Sequence, residues 1–149
     1  LKYGGDKTFK RMSYNASERP VGIQLFGETP EVLAEAAKRV QDHGADFVDL
    51  NFGCPVKKVV SKGAGAALLK DLIQMRTVIR TAKAAITIPL TIKIRTGWDQ
   101  NQRNAMDVLH LANDEGVTWV AIHGRTRSQG YSGLSDWDYI SELAQKSPL

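Results

Sequence analysis

Four short aliphatic runs, each followed by a segment with helical spacing, constrain this chain more than any other feature. The first run is Val21-Gly22-Ile23-Gln24-Leu25. Thr29 then stands as an N-cap with Pro30 at the first helical position. Leu33, Ala36, Ala37 and Val40 recur at i, i+3, i+4 and i+7, and Gly44 sits where a helix ends on glycine. The second run, Phe47-Val48-Asp49-Leu50-Asn51, is followed by a long loop through Gly53-Cys54-Pro55 and Lys62-Gly63-Ala64-Gly65. Asp71 caps the next helix, whose apolar face is Leu72, Met75, Ile79 and Ala82. The third run, Leu90-Thr91-Ile92-Lys93-Ile94-Arg95, begins after Pro89, where a missing backbone donor is tolerated. It leads to a helix over residues 105–115 that buries Ala105, Val108, Leu109 and Ala112 and stops at Gly116. The fourth run is Trp119-Val120-Ala121-Ile122-His123, with a last helix carrying Trp137, Ile140 and Ala144. Residues 1–20 carry weaker signals, a helix end and a short strand at Thr8 to Ser13.

Strands alternating with helices imply an α/β fold with a parallel sheet, because parallel strands need long crossover connections. Side-chain alternation then separates an open doubly wound sheet from a closed barrel. Val21/Ile23/Leu25, Val48/Leu50, Ile92/Ile94 and Val120/Ile122 form one aliphatic set that would face covering helices. The opposite set ends in Gln24, Asn51, Lys93 with Arg95, and His123 with Arg125. An open sheet covered on both sides is apolar on both faces, whereas the C-terminal mouth of a β/α barrel gathers polar groups from separate strands. The reading is therefore a partial TIM (β/α)8 barrel of about four β-α units, where a whole barrel takes about 250 residues.

Composition narrows the partners. With 149 residues, 42% hydrophobic and 24% charged, the chain has an ordinary globular balance, and no apolar run approaches the roughly 20 residues of a membrane span. No secretion or transit signal is legible near Leu1, and the single cysteine excludes an intrachain disulfide, so the cytoplasm is the expected location. Neither a metal nor a membrane partner is expected. A net charge of +4 permits a nucleic-acid partner without requiring one.

Among residues able to do chemistry, Cys54 stands on a turn that Gly53 can bend and Pro55 can stiffen. A lone cysteine is ordinarily a small buried hydrophobe, but at a strand's C-terminal end its thiol, with an ordinary pKa of about 8.5, can serve as a general acid near neutral pH. Lys93 lies between Ile92 and Ile94, so its ammonium must either leave the sheet at an edge or find an anion or polar acceptor. His123 ends a strand, whereas His43 and His110 sit on helices as surface or packing residues. Lys57, Lys58 and Lys62 bring positive charge to the loop after Cys54, suited to phosphates if the substrate is RNA. Gly63-Ala64-Gly65 is a weak echo of a dinucleotide fingerprint, lacking its third glycine and its preceding strand.

Taken together, Gln24-Leu25-Phe26-Gly27, Asn51-Phe52-Gly53-Cys54-Pro55-Val56-Lys57-Lys58, Lys93-Ile94-Arg95-Thr96-Gly97 and His123-Gly124-Arg125-Thr126 resemble the tRNA-dihydrouridine synthases in order and spacing. Lys62-Gly63-Ala64-Gly65-Ala66-Ala67-Leu68-Leu69, and Gln129-Gly130-Tyr131-Ser132-Gly133 running to Asp136-Trp137, extend the likeness, which is nearest the bacterial branch. The resemblance implies an FMN-dependent barrel enzyme that uses NADPH to reduce the C5-C6 double bond of particular uridines in tRNA. Carried over to matching positions, Cys54 is the proton donor and Gln24, Lys93 and His123 are FMN contacts. Asn51 and Arg95, with Arg125 and Tyr131, line the uridine pocket. Residues 1–149 would be the central portion of the catalytic barrel. The family's first-strand segment, last two strands and C-terminal tRNA-binding helical domain find no match here, and the isolated piece is expected to be inactive. Two rivals stay open at this point: a flavoenzyme of the dihydroorotate or dihydropyrimidine dehydrogenase kind, and a non-catalytic RNA-binding fragment.

Overall fold

A computed structural model of the chain describes residues 12–149. Its centre is a four-stranded, all-parallel sheet in the order β1-β2-β3-β4: β1 Gly22–Leu25, β2 Phe47–Asn51, β3 Leu90–Arg95 and β4 Trp119–His123. Between and after them run α1 Pro30–Asp42, α2 Lys57–Val60, α3 Leu72–Ala84, α4 Ala105–Asp114 and α5 Trp137–Lys146. These are successive β-α units of a partial (β/α)8 barrel, as the alternation predicts. Of the strand expected at Thr8 to Ser13, residues 8–11 lie outside the described residues, and Met12 and Ser13 are not in a strand.

The predicted helix signals operate locally. Pro30 opens α1 after Thr29, and Asp71 accepts a hydrogen bond from the Gln74 amide at 2.9 Å to cap α3. Gly44 and Gly116 follow α1 and α4 with φ of +91° and +71°, conformations that cost glycine little. The core lies between the helices and the aliphatic face of the sheet. Val48, Leu50, Leu90, Ile92 and Ile94 from the strands meet Ala37, Val40, Met75, Val78, Ile79, Ala82, Val108 and Ala112 from the helices.

One expectation needs correction, and one is refined. The stretch after Cys54 is not a plain loop: α2 and a 3₁₀ segment, Gly65–Lys70, fill it and bury Ala66, Leu68 and Leu69. In α5, Trp137 is 72% exposed and Ala144 is exposed, while the buried anchor is Leu143. The spacing of Trp137, Ile140 and Ala144 follows the edge of the helix's apolar face, and one residue's rotation puts Leu143 at its centre.

Candidate active site

Register decides which side chains meet. The pairs Gln24↔Asp49↔Thr91, Asn51↔Lys93↔Ala121 and Arg95↔His123 stack across the four strands on the face away from the helices. Side chains two apart share a face, so these three tiers climb toward the C-terminal ends of the strands. At the top they open into a cavity of about 510 Å³. Asn51, Cys54, Lys93, Arg95, His123 and Tyr131 all line it. β3 is an interior strand, so the edge-strand explanation for Lys93 fails, and its half-buried ammonium points into the same cavity.

The turn bearing Cys54 is held from two sides. Asn51 Oδ1 accepts from the backbone amides of Gly53 and Cys54, each at 2.9 Å, and Asn51 Nδ2 donates to Gln24 Oε1 at 2.8 Å. From the other side the Ala66 amide donates to the Cys54 carbonyl at 3.1 Å. That approach requires Gly65: a Cβ there would lie 2.9 Å from the Cys54 carbonyl oxygen, and its φ is +60°. Gly65 and Ala66 are therefore part of the seat for Cys54. Cys54 itself is a free, half-buried thiol.

The walls are cationic and closely organised. Arg95 is 2% exposed, and its guanidinium donates to the carbonyls of Gly53 at 2.8 Å, Thr126 at 3.0 Å and Gly130 at 2.7 Å. It ties the end of β3 to the loops after β2 and β4. Burial pushes its pKa below the ordinary arginine value, opposed by electrostatic interaction with Tyr131, and its guanidinium carbon lies 5.5 Å from the centre of the Tyr131 ring. His123 is pushed below its ordinary value by burial first, then by Arg95, Lys93 and Arg125. Near neutral pH it is an uncharged imidazole that can donate through one nitrogen and accept through the other.

Two predicted site residues lie outside the cavity wall. Gln24 reaches the site through its bond to Asn51. Arg125 braces its rim, with Nη1 at 3.3 Å from His123 Nε2 and Nη2 donating to the Gly133 carbonyl at 2.9 Å. Tyr131 is 77% exposed at the opening, its ring centroid 6.3 Å from that of His123. Sequence reasoning missed Asp49 and Thr91. Asp49 accepts from Gln24 Nε2 and from Thr91 Oγ1, both at 2.6 Å. Their parity with Asn51 and Lys93 was the available signal.

Residues 3–149 match the dihydrouridine synthase (Dus) family. The chain belongs to that family. It is 39% identical over 141 residues to tRNA-dihydrouridine synthase B of Xanthomonas campestris pv. campestris, covering 95% of this chain and 42% of the relative. It is 49% identical over 123 residues to a probable tRNA-dihydrouridine synthase of Rickettsia prowazekii, covering 83% of this chain and 38% of the relative. A probable tRNA-dihydrouridine synthase of Rhizobium leguminosarum bv. phaseoli is 46% identical over 130 residues, covering 87% and 41%. The chain thus spans about two fifths of the length of these Dus relatives.

Proposed function

We propose that this chain is the central portion of the catalytic barrel of a tRNA-dihydrouridine synthase, reducing the C5-C6 double bond of particular uridines in tRNA with FMN and NADPH. The observation that carries the reading is the convergence of Cys54, Asn51, Lys93, Arg95, His123 and Tyr131 on one cavity at the strands' C-terminal ends. In this reading Cys54 is the catalytic acid, Gln24, Lys93 and His123 serve the cofactor, and Asn51, Arg95, Arg125 and Tyr131 serve the uridine.

The residues fit a flavin ring. About 510 Å³ is within the usual range for a cofactor pocket. An ammonium from Lys93 and a neutral imidazole from His123 suit a ring bearing carbonyls and able to take negative charge. FMN, when bound, supplies the hydride that reduces the pyrimidine. The protein's own contribution is proton delivery: the Cys54 thiol gives its proton to uracil C5 and is restored by solvent. The Asn51 amide and the Arg95 guanidinium keep the turn and the pocket floor rigid, so the thiol need not be ordered at the moment of reaction.

Charge at the mouth supports a polyanionic substrate. Lys57, Lys58, Lys62, Lys70, Arg125 and Arg127 stand on the connections after β2 and β4, and none is ion-paired among the described residues. Lys70 and Arg127 lie over the Trp98 ring at 4.8 Å and 4.5 Å, the mixture of cation and aromatic that suits unstacked RNA. A uridine that enters the cavity has to leave its stack, at a cost of a few kcal/mol that such contacts offset. The cytoplasm, where tRNA is modified, is the compartment this reading implies. No described helix is long and apolar enough to cross a membrane.

The test is Cys54→Ala in the full-length protein. Dihydrouridine formation should fall by about 10²-fold or more, the scale of a general-acid contribution, while tRNA binding persists. Unchanged activity would remove Cys54 from the acid role. Absence of any dihydrouridine formation by the parent protein, with RNA still bound, would favour a binding module instead.

A further inference from the structure

We propose that Asp49 is a positioning residue for Cys54: its carboxylate fixes the direction of a hydrogen-bond chain through two side-chain amides, and that direction holds the Gly53-Cys54 backbone in place. The chain starts at Thr91, whose buried hydroxyl donates to Asp49 Oδ1 at 2.6 Å. Gln24 Nε2 donates to Asp49 Oδ2 at 2.6 Å, Asn51 Nδ2 donates to Gln24 Oε1 at 2.8 Å, and Asn51 Oδ1 accepts from Gly53 and Cys54 at 2.9 Å. It crosses from β3 to β2 to β1 and back to β2 before reaching the turn.

A carboxamide has one donating and one accepting end, so a row of amides can run in either direction unless its ends are fixed. Here both ends are fixed, and they agree. A carboxylate only accepts, and backbone N–H groups only donate. In the observed direction every member is satisfied. In the reverse direction the Gln24 oxygen would face the Asp49 carboxylate, and the Asn51 NH₂ would face two further N–H donors. Asp49 is 8% exposed, so its carboxylate keeps a desolvation cost when a partner is lost, while the exposed Gln24 can exchange a lost partner for water. Asp49 thereby reaches Cys54 without touching it. Its importance to proton delivery rests on the function proposed above, but the chain itself needs neither flavin nor RNA, and its test uses neither.

The test exchanges the ends of the chain in the full-length protein, with Asp49→Asn, Asn51→Asp and the two combined. Thermal unfolding and amide hydrogen exchange at Gly53 and Cys54 are read for each. Asn51→Asp places an accepting group at both ends, so Gln24 can satisfy only one of them, and the unfolding midpoint should fall most in this variant. Asp49→Asn removes the end that can only accept and leaves the Gly53 and Cys54 amides alone to set the direction. The Gly53 and Cys54 amides should then exchange about 3- to 10-fold faster while strand amides keep their rates, the scale of one hydrogen bond's net preference. The combined variant reverses both Gln24 bonds and satisfies every group: the new amide at 49 donates to Gln24 Oε1, Gln24 Nε2 donates to the new carboxylate at 51, and that carboxylate accepts the two backbone amides. Its midpoint should lie above that of Asn51→Asp alone, with exchange at Gly53 and Cys54 back near the parent rate. Additive losses in the combined variant would overturn the proposal, as would unchanged exchange in Asp49→Asn. If Asn51→Asp does not fold, recovery of folding in the combined variant supports the proposal and its failure to fold refutes it.

Discussion

The helix-covered side of the sheet and the mouth at its C-terminal ends are built from the same four strands, yet they follow opposite rules. On the covered side, Val48, Leu50, Leu90, Ile92 and Ile94 are fully buried against α1, α3 and α4. Cations on that side and around the sheet's lower end are mostly paired: Lys38 with Asp42, Arg39 with Glu35, Arg76 with Asp114 and Glu115, Arg80 with Glu115, and Arg19 with Asp46. At the mouth, Lys57, Lys58, Lys62, Lys70, Lys93, Arg95, Arg125 and Arg127 have no carboxylate partner among the described residues. Arg103 with Asp136 is the exception near the loops, and Lys83 is the unpaired exception away from them. The difference separates what the fold needs from what a ligand would use. One side pairs most of its cations, and the other keeps donors and positive charge in excess.

The strongest way to break this comparison is Ile92→Ala. Ile92 has no exposure and lies one residue from Lys93 on the opposite face. Deleting its buried methyl groups should cost about 2–5 kcal/mol, because a close-packed interior relaxes only partly around the cavity left behind. Denaturant unfolding measures it. A loss below about 1 kcal/mol would mean that the aliphatic side is not what holds the four units together.

A smaller effect is expected at the closed ion cluster. Glu115 has a side chain only 7% exposed, and it accepts from Arg76 at 2.7 Å and from Arg80 at 2.8 Å and 2.9 Å. The Arg80 hydrogen bond, joined by that of Arg76 and opposed by burial, holds the carboxyl below its ordinary value of 4.5. A carboxyl depressed in the folded state stabilises above its unfolded pKa, and that contribution disappears as pH falls through the folded value. Glu115→Gln should therefore lose about 1–2 kcal/mol at pH 7, the scale of a charged hydrogen bond. The gap between variant and parent should close as acid protonates Glu115, which unfolding curves at pH 7 and pH 3 would reveal.

How much of this was legible in the sequence follows from the range of the forces involved. Helix caps, glycine stops and the period-two alternation are local, so all four strands, the helices α1, α3 and α4, and the inward set of Gln24, Asn51, Lys93, Arg95 and His123 could be read directly. What could not be read depends on contacts between units. Asp49 drew no functional reading from the sequence, because its partners Gln24 and Thr91 belong to neighbouring strands 25 and 42 residues away. Arg95 read as a pocket residue, but its three carbonyl partners come from loops whose paths the sequence does not encode locally. Gly63-Ala64-Gly65 read as a weak echo of a dinucleotide fingerprint, whereas the approach of Gly65 to the Cys54 carbonyl is what requires a glycine there.

The subtlest effect lies at the mouth, where excess positive charge should be visible in the titration of His123. Burial is the first cause of its lowered pKa, and the cations Arg95, Lys93 and Arg125 add to it. In an NMR titration its ring protons should therefore shift with a midpoint below the ordinary 6.5. The unfolded chain takes up this proton before the folded one, so the contribution to stability is full above about pH 6.5 and declines as pH falls toward the folded value. Lys93→Met removes one cation and leaves the burial. The midpoint should rise in that variant without reaching 6.5, because the larger cause is untouched. A return to 6.5 would mean that charge rather than burial dominates the site, and no movement at all would mean that the Lys93 ammonium is turned away from the cavity that His123 lines.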